Sequence, residues 1–333
     1  MPDLTPESIW KKDKSEILKL INTGVFTRKL KKVDFYFPSF TNYRNRHFRS
    51  SLNHFPTFSI TGNACALNCK HCGSKVLKSM TNTATPSKLY EAAKNLTNEG
   101  GLGCLISGGC SLDGSVPLKP FISSITRMKR ELGLTVFVHT GILDNDTARE
   151  LKKAGIDAAL IDIIGSDRTM SKICNLDVTT ENYEQSLKAM SIVGLSFVPH
   201  VIVGLENGKL DGEFQALTMI SKYTPSALVI IAFLPIPGTE MASVSPPKPS
   251  DIAKIIAIAR LMFPNIRLAL GCMRPKGRDR KETDVLALKA GVDAIAFPSQ
   301  EVVEFAEKQG YESSFSPYCC AQIYQRGNKE FRS

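Results

Sequence analysis

The sequence has no long apolar run: the longest, Ala227 to Leu234, falls far short of the ~20 residues that span a bilayer. Its opening segment, MPDLTPESIWKKDKSE, also lacks the apolar core of a secretion signal. A membrane location is therefore not expected, and a cytoplasmic one is. Low-complexity tracts are missing too, as is any repeat beyond an alternation of strand and helix. Acidic residues are in deficit, with 32 Asp and Glu against 42 Lys and Arg, and the net charge is +10. That balance fits a solvated lysine-rich surface, an acidic protein partner or nucleic acid, and does not choose among them. The nine cysteines cannot all pair within one chain. In a reducing compartment such a set reads as metal ligands or reactive thiols before disulfides.

What is present is the composition of a large folded core, 43% hydrophobic and 22% charged. The densest basic stretch, Arg28 to Lys32 with Arg44, Arg46 and Arg49, is interleaved with Phe35, Tyr36, Phe37, Phe40 and Tyr43. Aromatics among basic residues stack on bases in some proteins, and more often cap the end of a barrel.

After Phe55 the chain alternates short β-branched apolar runs with longer segments of helical spacing, the pattern of an α/β fold. Strands are expected at 57–64, 103–109, 135–141, 158–165, 196–205, 227–236, 267–273 and 293–299. Helices are expected between them, several opened by Ser, Asp or Thr caps. Eight such units predict a parallel (β/α)8 TIM-type barrel, with an open barrel of six strands plus an addition as the alternative. Residues 1–55 and 311–333 fall outside this beat and read as N- and C-terminal extensions of a barrel domain at 56–310. The expected strands end in Gly, Pro or polar residues, as they would where a parallel barrel places its site.

The segment Cys65-Ala-Leu-Asn-Cys69-Lys-His-Cys72 directly follows the first expected strand. Three thiolates at this spacing can hold three corners of a cubic four-iron cluster and leave the fourth iron open. Zinc is the competing occupant, with His71 beside the thiols. Against it, no second close pair of ligands follows until Cys319-Cys320.

The loop resembles the CxxxCxxC signature of the radical S-adenosylmethionine (radical SAM) superfamily, placed after the first barrel strand as that family places it. The resemblance implies that Cys65, Cys69 and Cys72 carry a [4Fe-4S] cluster whose open iron binds S-adenosylmethionine. Reductive cleavage would then yield a 5′-deoxyadenosyl radical that takes hydrogen from an unactivated C–H bond. It also implies cofactor contacts from Ser107, Gly108 and Gly109, where Cys110 replaces the family's usual acid, and from Asp162, Gly204 and Pro237. Asp162 reads equally as half of a salt bridge lining the barrel, and Cys110 as an inert strand-end thiol.

Across roughly residues 55 to 310 the chain looks most like biotin synthase and related sulfur-inserting enzymes, and within that group like the archaeal-type, two-component lipoyl synthases. Cys110 and Cys272, with Cys319 and Cys320 on a tail expected to fold over the rim, would hold an auxiliary [4Fe-4S] cluster. The alternative for these thiols is burial as small hydrophobes. The implied partners are an octanoylated lipoyl carrier domain, a second paired radical SAM component and a ferredoxin-type electron donor, without nucleic acid; the alternatives are a single-cluster radical SAM enzyme of another substrate class and a radical SAM sulfur transferase that modifies RNA. Cys104 and Cys174 are left out of both clusters. His139 and His200 read as satisfied core histidines. Arg274, Arg278 and Arg280 read as a solvated face or as a grip on a carboxylate or phosphate.

Overall fold

The computed structural model describes residues 4–38 and 54–325. Phe40, Tyr43, Arg44, Arg46 and Arg49 of the basic aromatic stretch therefore lie outside the described residues. Among the described residues eleven strands form one sheet. They are β1 (Lys32–Tyr36), β2 (Thr57–Ser59), β3 (Thr81–Asn82), β4 (Gly103–Ser107), β5 (Thr135–His139) and β6 (Ala158–Ile163). The rest are β7 (Phe197–Val203), β8 (Leu228–Ala232), β9 (Leu268–Leu270), β10 (Ala294–Ala296) and β11 (Glu312–Ser316). Every pairing is parallel, in the order β11-β1-β10-β9-β8-β7-β6-β5-β4-β2-β3.

All eight expected strands are present as β2 and β4 to β10. Parallel strands covered on both faces must be apolar nearly throughout. β4, β6 and β8 meet that requirement, with Cys104, Ile106, Leu160, Ile161, Val229 and Ile230 buried. The connecting helices carry their own stop signals. Helix Asn145–Ala154, for example, is capped by Asp144, whose side chain accepts from Thr147 N, and ends on Gly155 at φ 78°.

The sheet is an open, curved partial barrel. The closed eight-strand ring does not form, because the free edge of β10 pairs with β1 from the N-terminal extension, in register Asp34 to Ala294. Among the described residues the end strands β11 and β3 share no ladder. β1, from the N-terminal extension, and β11, from the C-terminal tail, add to the barrel sheet itself.

The tail differs from its expected place. The 3-10 turn Cys320–Gln325 packs on β1, β8, β9 and β10, with Cys320, Ala321 and Ile323 buried in the main core. Tyr324 reaches across to donate a 2.6 Å hydrogen bond to the carbonyl of Asp157, at the start of β6. An unclosed sheet leaves apolar interior to be filled, and Ala321 and Ile323 fill it instead of lying over the rim.

Candidate cluster and cofactor site

The cysteine loop leaves β2 and is held by two neighbours. On one side it runs along the end of β4. There Ile60 N donates to Ser107 O, Gly109 N to Thr61 Oγ1 at 2.7 Å, and Ala66 N to Cys110 O at 2.8 Å. A Cβ on Gly109 would stand 2.1 Å from Ala64 O and 2.5 Å from Cys65 Cβ. Glycine is required there because the loop backbone occupies the space, a reason internal to the chain rather than the ligand approach the sequence suggested. Cys110 N donates to Cys65 Sγ at 3.4 Å, which ties the first thiol of the loop to the end of β4.

On the other side stands the end of helix Asp167–Cys174. Lys70 N donates to Ile173 O, and the side-chain amide of Asn175 donates to Leu67 O and Asn68 O at 3.0 and 3.1 Å. Asn175 is also the helix C-cap, at φ 51°. Sequence reasoning missed this clamp. An Asn after a helix signals a left-handed cap, but nothing local says that its side chain serves a loop more than a hundred residues away.

Within the loop, the ligand atoms of Cys69, His71 and Cys72 all lie within 4.8 Å of one another, with Cys65 standing off from this group. Cys69 also donates to Cys174 O at 3.2 Å. Sharing a hydrogen bond with Cys69, together with burial, pushes the Cys72 thiol up to about 12, and contact with Cys174 pushes Cys69 higher still. Such thiols hold their protons until a metal displaces them, the behaviour of a ligand set rather than of an exposed nucleophile. The donors are soft, clustered and backed by an N–H on sulfur, and so they fit an iron–sulfur cluster.

The other implied cofactor residues are distributed around this loop. Ser107 and Gly108 line its β4 side. Pro237 is exposed at the tip of a turn closed by Thr239 N to Ile236 O, and the same segment reaches the loop through Met241 N to Lys70 O. Gly204 (φ 75°) faces the ring of Pro247, which would lie 2.7 Å from a Cβ, and its N–H donates to Glu213. It therefore shapes a turn. Burial raises the Glu213 carboxyl to about 7, opposed by the N–H groups of Gly204 and Asp211 that it accepts.

Asp162 projects into the concave interior with His139 and His200. Its Oδ1 lies 3.5 Å from His139 Nε2, and the two imidazoles lie tilted at 53° with centroids 6.1 Å apart. Burial works against the Asp162 charge, but the two histidines and His71 outweigh it and hold the carboxyl down to about 2. His200 is lowered to about 4 by burial, so it is neutral at pH 7. His139 moves up despite burial, because Asp162 favours its charged form. Both histidines are partnered as the sequence suggested, His139 by Asp162 and His200 by the carbonyl of Val198 at 3.1 Å, but neither is fully buried.

Arg274 is neither a solvated cation nor an anion grip. It is fully buried, bonds Asp284 at 2.8 Å and donates to the carbonyls of Gly271 and Phe297. Cys272 lies between these anchors. Cys104 is buried inside β4.

A model of the radical SAM superfamily matches residues 59–211, and a model described as the biotin and thiamin synthesis associated domain matches residues 230–316. The chain belongs to the radical SAM superfamily. As a radical SAM enzyme it uses a [4Fe-4S] cluster and S-adenosylmethionine, and the thiol loop is the part of this chain that suits the cluster. Biotin synthase of Neorickettsia sennetsu is 28% identical over 248 residues, covering 72% of this chain and 74% of that one. Biotin synthase of Legionella pneumophila is 26% identical, covering 79% and 84%. Two solved structures share the fold. They are the [FeFe]-hydrogenase maturase HydG, with TM-score 0.64 at 15% identity over 98% of this chain and 75% of that one, and methylornithine synthase PylB, with TM-score 0.58 at 17% identity over 93% and 94%. No helix among the described residues is long and apolar enough to cross a membrane.

Proposed function

We propose that this radical SAM enzyme inserts sulfur into an unactivated C–H bond of a protein-bound octanoyl chain, as one component of a two-component lipoyl synthase. The observation that carries the reading is a second group of thiols, Cys272, Cys319 and Cys320, gathered by β9 and the tail on the concave side of the same sheet. The biotin synthase relatives support sulfur insertion as the reaction class.

Cys65, Cys69 and Cys72 hold the cluster that, with S-adenosylmethionine, supplies the hydrogen-abstracting chemistry. The chain's own contribution is placement. Asn175 and the end of β4 fix the loop, Ser107, Gly108, Asp162 and Pro237 stand around it as the cofactor-facing set, and Gly204 shapes a turn against Pro247. Phe55 packs against Phe137 at 5.8 Å and against Tyr318 of the tail at 6.3 Å between ring centroids, an apolar fill that excludes water. The excess of Lys and Arg suits an acidic lipoyl carrier domain and a ferredoxin-type donor.

The test is anaerobic incubation of the reconstituted protein with its paired component, reductant, S-adenosylmethionine and octanoylated carrier domain, read by mass spectrometry of the carrier. Thiolated octanoyl chains support the reading. Formation of 5′-deoxyadenosine with no thiolated product overturns lipoyl synthesis in favour of a single-cluster radical reaction on another substrate.

A further inference from the structure

The thiols outside the CxxxCxxC loop fall into two neighbourhoods. Cys110 belongs to the loop: it exchanges backbone contacts with Cys65 and Ala66, and the charged groups that act on it are Cys65, Asp162, Cys72 and Asp113. Cys272, Cys319 and Cys320 form the other. Cys319 and Cys320 share a hydrogen bond, and both act electrostatically on Cys272 or are acted on by it. The tail turn brings them onto β9 and β10, and the buried Arg274 pins the segment that carries Cys272 through its bond to Gly271 O.

Cys319 and His139, the latter at the end of β5, are near enough to act on one another electrostatically. The Asp162 carboxylate engages Nε2 of that imidazole at 3.5 Å and leaves the other ring nitrogen for a ligand. A carboxylate behind a histidine is the arrangement that fixes a metal-binding imidazole in one orientation. The ligand atoms of the three thiols and His139 do not crowd within 4.8 Å as Cys69, His71 and Cys72 do.

We infer that Cys272, Cys319, Cys320 and His139, without Cys110, ligate the auxiliary iron–sulfur cluster, with Asp162 as the residue that orients the imidazole. This rests on the sulfur-insertion reading and specifies its donor site. A neutral imidazole in place of a fourth thiolate makes the cluster less negative, which raises its potential. Cys110 is released to hold Cys65.

The experiment starts from the full chain carrying Cys65→Ala, Cys69→Ala and Cys72→Ala, reconstituted anaerobically and assayed for iron and sulfide, then reduced and examined by pulsed EPR for 14N coupling. About four irons per chain and a directly bound nitrogen are expected. Adding His139→Ala removes the nitrogen coupling and lowers iron several-fold, while His139→Cys restores iron without nitrogen, which separates ligation from misfolding. Cys110→Ala and His200→Ala in the same background leave iron and coupling in place, and Asp162→Asn keeps iron while shifting the midpoint potential. A background protein with no iron overturns both the auxiliary cluster and the sulfur-insertion reading. Iron that survives with nitrogen coupling unchanged in His139→Ala, or that is lost in Cys110→Ala, overturns this ligand set alone and leaves sulfur insertion standing.

Discussion

Replacing Arg274 with Met removes a guanidinium that makes three buried contacts: the 2.8 Å bond to Asp284 and hydrogen bonds to Gly271 O and Phe297 O. Phe297 O keeps a donor in Arg280, but Asp284 is left fully buried with only Ser299 N to accept from. Stranding one partner of a buried ion pair costs about 3–5 kcal/mol. With a urea m-value of about 3 kcal/mol/M, the midpoint of the metal-free, reduced protein falls by about 1–1.7 M. The double variant Arg274→Met with Asp284→Leu removes the stranded charge as well as its partner. It should recover most of the loss, since an apolar replacement of such a pair is commonly neutral. Equilibrium urea unfolding followed by circular dichroism, run as a double-mutant cycle, measures both terms. A single-variant loss under about 1 kcal/mol, or a double variant no more stable than the single, would refute the assignment of Arg274 as a structural strut.

Gly109→Ala places a Cβ 2.1 Å from Ala64 O, so the cysteine loop must move. The expected result is loss of cluster loading with far-UV dichroism retained and destabilisation of about 1–3 kcal/mol. Asn175→Ala deletes both amide bonds to the loop and should speed iron loss to a chelator, while Asn175→Asp, whose two carboxylate oxygens accept and neither donates, should not rescue it. Glu213, raised to about 7 by burial from an ordinary 4.5, is ionised in the unfolded chain before it is ionised in the folded one. The native state therefore binds the extra proton, and stability falls as pH rises from about 4.5 to 7, by at most about 3 kcal/mol. Urea midpoints taken across that window should show a flatter profile for Glu213→Gln, and an unchanged slope would remove Glu213 as the source.

The site subdivides sharply by how local its causes are. The CxxxCxxC spacing, its place after an apolar strand and the eightfold alternation of strand and helix are short-range patterns, readable because the period of hydrophobic burial and the reach of a loop are set by a few residues. They were enough for the family, the cofactors and the α/β class. Barrel closure was not readable in that way. It turns on which partner takes the free edge of β10, a competition between β2 and β1 decided by packing across some 260 residues of chain. Arg274 shows the same limit from the other side. A cation after a strand looks like surface until Asp284 is brought beside it, and only then does burial become affordable.

The sequence by itself thus determined that a three-thiol loop would sit at the C-terminal end of a parallel sheet, because adjacent residues carry both the spacing and the strand. Only the tertiary structure decided what stands around that loop: Asn175 beneath it, Cys110 bound to its first thiol, His139 and Asp162 paired on neighbouring strands, and the tail thiols inside the sheet instead of above it. These neighbours are distant in sequence, and their positions follow from sheet order and from filling an interior that an open barrel leaves vacant.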